Sequence, residues 1–214
     1  MLYGQLPEIT LPSGEITRAI RVSVPNPPKT AFLGLPTNEQ MVERLDQQKS
    51  VRRSLGRRKS QTEYTPDTKA DLDLFNKIRI DKDGPAFDEY EAANALGKLT
   101  SAEVTGCDRE GDEYAITLKT PFGEVKHLVR VPMQRDLQLY RRSVVSSIDL
   151  PHGVEELRYK IDPAIKLYRS VITKTEGYAP EIQPADVPPH HMSAVVVELV
   201  QAVDDVDLAL DPNS

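Results

Sequence analysis

Cysteine, tryptophan and long apolar runs are what this 214-residue chain lacks. Its single cysteine, Cys107, excludes an internal disulfide and a cluster of cysteine metal ligands, and it favours a reducing compartment. Aromatic residues make up only 6% of the chain, so we expect small aliphatic cores. No apolar run reaches membrane-spanning length, and the first residues lack the basic region and apolar core of a signal peptide. These absences predict a cytoplasmic protein without a membrane partner.

Catalytic motifs are missing as well. The chain has no phosphate-binding loop, no dinucleotide glycine pattern and no serine elbow. Cys107 lies in a predicted strand without a nearby histidine, which makes it a poor nucleophile. His190 and His191 would point about 100° apart on a helix, so we interpret them as polar first-turn residues rather than metal ligands. We therefore expect no catalytic residues, no cofactor, no metal and no small-molecule substrate; carboxylates brought together in space are the remaining route to an enzyme.

A repeated segment is the clearest feature that the chain does contain. Residues 9–25 read I-T-L-P-S-G-E-I-T-R-A-I-R-V-S-V-P, and residues 116–132 read I-T-L-K-T-P-F-G-E-V-K-H-L-V-R-V-P. Both copies have Ile-Thr-Leu, a turn with proline and glycine, and a β-rich run that ends at proline. Gly14 and Gly123 supply the positive φ that a tight connection needs, so each copy is predicted to be a β-hairpin.

The returning strands of the two copies alternate with the same register. The apolar face carries Ile16, Ile20, Val22 and Val24 in the first copy and Val125, Val129 and Val131 in the second. Arg18 and His127 fall on this face too. We interpret them as rim residues whose polar ends reach water, with a partner contact as the alternative. Because fewer predicted strands surround the first copy, we expect it to pack against a partner protein.

Strands followed by helices in both halves predict an α+β fold with two related small lobes. Each lobe is an antiparallel β-hairpin or sheet followed by helices, and proline-rich segments connect the elements. Helices are predicted at residues 37–55, 68–79, 87–99, 133–147, 164–175 and 190–203. The predicted units are 1–66 with the hairpin and a basic helix, 67–150 with the central sheet, 151–203 with the C-terminal helices, and a mobile acidic tail at 204–214.

Residues 49–59 form the strongest charge feature. Their cations, with no acid among them, are Lys49, Arg52, Arg53, Arg57, Arg58 and Lys59. Cations at a helix C-terminus or a solvated arm explain this run structurally. The functional alternative is a contact with nucleic acid or an acidic protein surface. No aromatic residue is interleaved, and the net charge of the chain is −6, so base stacking and general nucleic-acid affinity are not supported.

Two apolar residues stand out within the proline-rich connection at residues 25–36. Phe32 and Leu33 are predicted to anchor the chain to a neighbouring protein. Together with the basic run, they are the candidate partner-binding residues.

The run H-L-V-R-V-P-M-Q-R-D-L-Q-L-Y-R-R at residues 127–142 resembles segments of small tail-assembly and virion-structural proteins of tailed bacteriophages. The preceding I-T-L…G-E turn fits the same resemblance. It implies a role in building or chaperoning a phage tail or head–tail structure, in the host cytoplasm or the virion. It carries no catalytic or ligand motif.

The leading hypothesis is therefore a structural or assembly protein that acts through protein–protein contacts in a homo- or hetero-oligomer. The first alternative is a nucleic-acid-associated adaptor that uses the basic run at residues 49–59. The second is an enzyme with a carboxylate site that no sequence motif reveals.

Overall fold

The computed structural model describes residues 6–25, 27–48, 50–54, 62–64, 68–150 and 154–210. These residues contain helices and strands, and the strand pairings are antiparallel. The predicted α+β class is thereby confirmed. The strands are β1 (Glu8–Thr10), β2 (Ile16–Arg18), β3 (Ile20–Pro25), β4 (Pro28–Leu33), β5 (Ser50–Ser54), β6 (Thr62–Tyr64), β7 (Glu103–Glu110), β8 (Glu113–Thr120), β9 (Gly123–Arg130), β10 (Val145–Leu150), β11 (Val154–Tyr159) and β12 (Ile172–Glu176). The helices are α1 (Asn38–Gln48), α2 (Thr68–Ile78), α3 (Glu89–Leu99), α4 (Gln134–Ser143), α5 (Asp162–Val171) and α6 (Pro189–Leu210).

A four-stranded sheet in the order β12-β9-β8-β7 lies at the centre of the fold. Strands β8 and β9 are the second copy of the repeat, and their register pairs Ile116 with His127. Helix α6 contacts β7 and β8, and α5 contacts both α6 and β9. The central sheet therefore carries a layer made by these two helices.

The first copy of the repeat is also a hairpin, formed by β1 and β2. The amide of Leu11 donates to the carbonyl of Glu15 at 2.8 Å, and Gly14 has a φ of 87° in the turn. The returning strand then breaks at the fully buried Ala19, and its continuation, β3, pairs with β4 instead. The proline-rich connection is therefore largely a strand, because residues 28–33 pair with β3 along its whole length.

A second four-stranded sheet, in the order β10-β11-β5-β6, brings together segments that are distant in the sequence. Two of its strands, β5 and the start of β10, occupy residues that we predicted to extend helices. Helix α1 ends at Gln48 rather than at residue 55, and α4 ends at Ser143 rather than at 147. Likewise α5 ends at Val171, where β12 of the central sheet begins. β-branched residues follow each of these helix ends, and they favour strands once a partner strand is present.

The last helix departs from its prediction in the opposite direction. Helix α6 continues to Leu210 rather than ending at residue 203, so residues 204–210 of the predicted tail are helical, and residues 211–214 lie outside the described residues. Asp204 forms an ion pair with Arg141 of α4. This pair gives the acidic end of the helix a neighbour within the fold.

One hydrophobic cluster runs through both halves of the chain, from Val22 to Val203. It includes residues of the β3–β4 sheet, of helices α1 to α3 and of the central sheet with its helix layer. Helix α1 begins with a capping box: Thr37 N donates to Gln40 Oε1 at 2.9 Å, and Gln40 N donates to Thr37 Oγ1 at 3.2 Å. The two halves share this continuous apolar interior.

Gly177 generates the first prediction, because its backbone conformation and its close approach to β9 both favour glycine. It follows β12 with a φ of 86°, and a Cβ there would lie 2.5 Å from the carbonyl oxygen of Glu124. Left-handed backbone costs a non-glycine residue about 1–2 kcal/mol, and the clash adds to that cost. We expect Gly177→Ala to lower the free energy of unfolding by more than about 2 kcal/mol in urea titrations.

Gly14 provides the matched control, because its φ is 87° but no atom lies within 4 Å of a built Cβ. Gly14→Ala should therefore cost only the backbone term of about 1–2 kcal/mol. Equal losses in the free energy of unfolding for the two variants would show that the close approach of β9 to Gly177 does not contribute to the destabilisation.

Candidate partner-binding surface and buried histidine cluster

The described part of the basic run is a strand rather than the end of a helix. Arg52 and Arg53 lie in β5, which pairs with both β11 and β6. The register places Arg52 opposite Glu156 and Glu63, and Arg53 opposite Glu155 and Thr62. The helix C-terminus interpretation of these cations is wrong. Lys49, Arg57, Arg58 and Lys59 lie outside the described residues.

The two predicted apolar anchors have different surroundings. Leu33 is fully buried in the core and its backbone bridges to Arg79, so in this fold it is not available to a partner. Phe32, the neighbouring residue on the other face of β4, is half-buried. Its amide donates to Asp81 Oδ1 at 2.8 Å, and its carbonyl accepts from the amide of Ile80 at 2.8 Å.

Phe32 lies in a groove of about 590 Å³. The walls are the turn of the first hairpin, the outer face of the β3–β4 sheet and the loop that follows α2. The charged residues of the groove carry both signs, and they are Glu15, Arg21, Asp81, Lys82 and Asp83.

A buried ion pair fixes the loop wall of this groove. Arg79 is only 7% exposed and donates to Asp81 from two nitrogens, at 3.0 and 3.3 Å, and to the carbonyl of Pro85 at 2.9 Å. The planar guanidinium thus holds both ends of the loop. Because Asp81 also accepts from the amide of Phe32, the loop and strand β4 keep one relative position. The groove is therefore preformed.

The edge of the first hairpin is the most open apolar feature beside this groove. Ile16 on β2 is 69% exposed, although the pattern placed it on the inward face with Val22 and Val24. The break at Ala19 separates the two strands, so the faces of β2 and β3 are independent. Among the described residues β2 pairs with β1 alone.

A cluster of buried histidine and tyrosine rings lies between the central sheet and its helix layer. His127 Nδ1 is 2.9 Å from the hydroxyl of Tyr168, and His127 Nε2 is 3.0 Å from the hydroxyl of Tyr178. The same Tyr178 hydroxyl is 2.8 Å from His191 Nδ1. His127, Tyr168 and His191 are fully buried. The cluster joins β9, α5, the segment after β12 and α6.

The three hydrogen bonds form one chain through both nitrogens of His127 and the hydroxyl of Tyr178. A neutral histidine has one N–H and one acceptor nitrogen, and a tyrosine hydroxyl has one proton to donate and an oxygen that can accept twice. Tyr178 can therefore donate to only one of the two histidines, so at least one of them donates to Tyr178. The tautomers of His127 and His191 are coupled by this restriction.

Burial keeps this cluster neutral at pH 7. It lowers the pKa of His127 to about 4 and raises the pKa of Tyr168. Burial, and then the charge of Arg44, lower the pKa of His190 to about 3. The pKa of His191 falls well below its ordinary value through burial and then through His190 and His127.

These positions correct two predictions from the sequence. His127 is fully buried, so neither the rim nor the partner-contact interpretation holds for it. His190 and His191 are in the first turn of α6 as expected, but they point into the core. The signal that could have found the cluster was available: His127 lies on the apolar face of its strand, and Tyr168 lies on the apolar stripe of its helix. Two polar rings on inward faces need partners inside the fold.

In the part of the chain that the structure describes, no group of three or more histidine, cysteine, aspartate or glutamate side chains could hold a metal ion. None of the helices in that part of the chain has the length and apolar character needed to cross a membrane. Comparisons of the chain with family models, with curated proteins and with solved structures found no match.

Tyr178→Phe tests the energetic weight of the buried cluster. The change removes one oxygen that serves both His127 and His191, and buried groups that lose a hydrogen bond cost about 1–3 kcal/mol. We expect the free energy of unfolding at pH 7 to fall by about that amount. Tyr90→Phe removes a hydroxyl from a side chain that is 74% exposed, and it should change stability by less than about 0.5 kcal/mol. Similar small effects for both variants would contradict a structural role of the cluster.

Proposed function

We propose that this chain is a non-enzymatic structural or assembly protein that acts through protein–protein contacts in a bacteriophage tail or head–tail structure. The observation that carries the proposal is the open edge strand β2, with Ile16 69% exposed, beside a preformed groove. As an assembly protein it works in the host cytoplasm or stays in the virion, within a homo- or hetero-oligomer.

The first hairpin is a good receiver for a further strand. Each of its strands has three residues, and a two-stranded hairpin of that size is marginally stable alone in water. A partner segment that paired with β2 would satisfy its free backbone groups and cover Ile16. The hairpin is thus the element that gains most from an added strand.

The neighbouring groove supplies what an edge strand alone lacks, which is selectivity. Phe32 gives it an apolar residue, and charged side chains of both signs surround that residue. A segment with complementary charges would be guided into one register, because mismatched charges repel. The Arg79–Asp81 pair holds the loop wall in place, so binding costs little reorganisation there.

The segment that resembles phage assembly proteins supports the same reading. Residues 127–142 form the end of β9 and most of α4, and they expose Met133 and Leu139. The side chain of Leu137 is the buried one on α4, and it packs into the core. Met133 just before α4 and Leu139 on α4 are apolar side chains that this segment offers to another protein.

A nucleic-acid adaptor is the weaker alternative. It depends on the basic run, in which the positions opposite Arg52 are acidic on both sides. Opposite charges across strands stabilise a sheet and reduce the charge that it offers to phosphates. A DNA affinity that rises steeply at low salt, and that disappears when the run is neutralised, would be needed to favour this alternative.

Ile16→Glu tests the proposal without changing the core. A tagged wild-type chain is purified from the cells that produce it, and the co-purified proteins are identified by mass spectrometry and the complex is sized. We expect phage structural proteins with the wild type and at least a tenfold loss with Ile16→Glu, because a buried charge at the interface is costly.

Val197→Glu is the matched control, since Val197 is 52% exposed on α6, away from the hairpin. It should keep the partners. Recovery of only monomer from the wild type, without any phage structural protein, would contradict the proposal. Equal losses from both variants would remove the hairpin edge as the contact.

A further inference from the structure

The hydrogen bonds of the buried cluster cross the boundary between the central sheet and its helix layer. His127 belongs to β9, while Tyr168 belongs to α5 and His191 to α6. Tyr178 connects the two histidines from the segment after β12. The protonation state of these rings therefore bears directly on how the helices pack against the sheet.

The hydrogen-bond partners of His127 are two neutral hydroxyls. Element by element, the titratable and charged groups that the described residues place around the cluster are Tyr168 of α5, Tyr178 after β12, His190 and His191 of α6, Arg44 of α1, and Asp71 of α2, which accepts a hydrogen bond from Arg44. The register neighbours of His127 on β8 and β12 are Ile116 and Thr175, which do not titrate.

Protonation of one histidine ring makes protonation of the neighbouring histidine ring less favourable. His190 and His191 lie with ring centroids 4.4 Å apart, and Arg44 adds a positive charge near His190. Like charges at this distance in a buried site repel strongly. In an opened state the same three histidines are in water, and each is protonated near its ordinary pKa of 6.5.

Opening therefore takes up protons. Each of the three histidines has a lower pKa in the closed state than in the open state, so its stabilising contribution is complete above pH 6.5. The contribution is lost as the pH falls from 6.5 towards the pKa of the closed state. Each proton taken up changes the opening equilibrium by about tenfold per pH unit, and three protons change it by up to about a thousandfold.

We propose that this cluster is an acid-sensitive latch: protonation of its histidines releases α5 and α6 from the central sheet, while β7, β8 and β9 stay paired. The three strands form two successive local hairpins, whose backbone ladder does not depend on the helices for its register. The latch is a conformational device of the fold and is independent of the partner-binding hairpin.

Amide hydrogen exchange of the full chain between pH 7.5 and 4.5 tests the latch. Protection factors, which remove the intrinsic pH dependence of exchange, are compared for α6 and β8. We expect protection in α6 to fall below pH 6.5 by at least about tenfold per pH unit, while β8 keeps its protection. A flat profile for α6, or a parallel loss in α6 and β8, would overturn the proposal.

Two variants assign the effect to the cluster. His127→Gln replaces an imidazole on β9 by an amide that does not titrate, and it should make the pH profile of protection in α6 shallower by about tenfold per pH unit. His191→Gln removes the titration of a different histidine, and it replaces the first variant if that variant does not fold. Asp73→Asn, at an exposed position of α2, is the control for loss of an unrelated titratable group and should leave the profile unchanged. A wild-type profile in a folded histidine variant would contradict the latch.

Discussion

A buried, neutral imidazole is the constraint on which the central part of this fold depends. His127 has no exposed surface, so both of its nitrogens must find partners inside the protein. Those partners, Tyr168 and Tyr178, come from a helix and from a turn that follows a different strand. The positive φ of Gly177 lets the chain turn against β9 and present Tyr178 to the imidazole. Sheet, turn and helices are thereby fixed by one chain of hydrogen bonds.

The surface around the first hairpin is open, in contrast to this enclosed interior. The short β1–β2 hairpin leaves one edge of β2 open and exposes Ile16, and the Arg79–Asp81 pair fixes one wall of the neighbouring groove. A rigid interior lets such an edge stay open without loss of the fold, because the hydrophobic cluster does not include Ile16. The division suits a protein that binds others through its margins, which is why we favour assembly over catalysis. The neutral cluster is enclosed, so it offers no exposed acid or base to a substrate.

Local patterns in the sequence predicted the local elements well. Both hairpins and helices α2 and α3 follow from turn chemistry and short-range periodicity. The second sheet could not be predicted in this way, because β5 becomes a strand only when the distant β11 pairs with it. The burial of Leu33 and His127 could not be predicted from local patterns either. An alternating pattern shows on which face of a strand a residue lies, but it does not show which other elements cover that face.

The protonation state of His127 tests the central claim most directly. At pH 6.0 an ordinary histidine is about three quarters protonated, whereas a buried imidazole bonded between two tyrosines should be neutral. Nitrogen-15 NMR of the ring distinguishes the two states. The account predicts one protonated and one unprotonated nitrogen on His127 at this pH, with Tyr178→Phe altering the tautomer. Two protonated nitrogens in the folded protein would contradict it, because the imidazole would then be a charged group that the interior accepts.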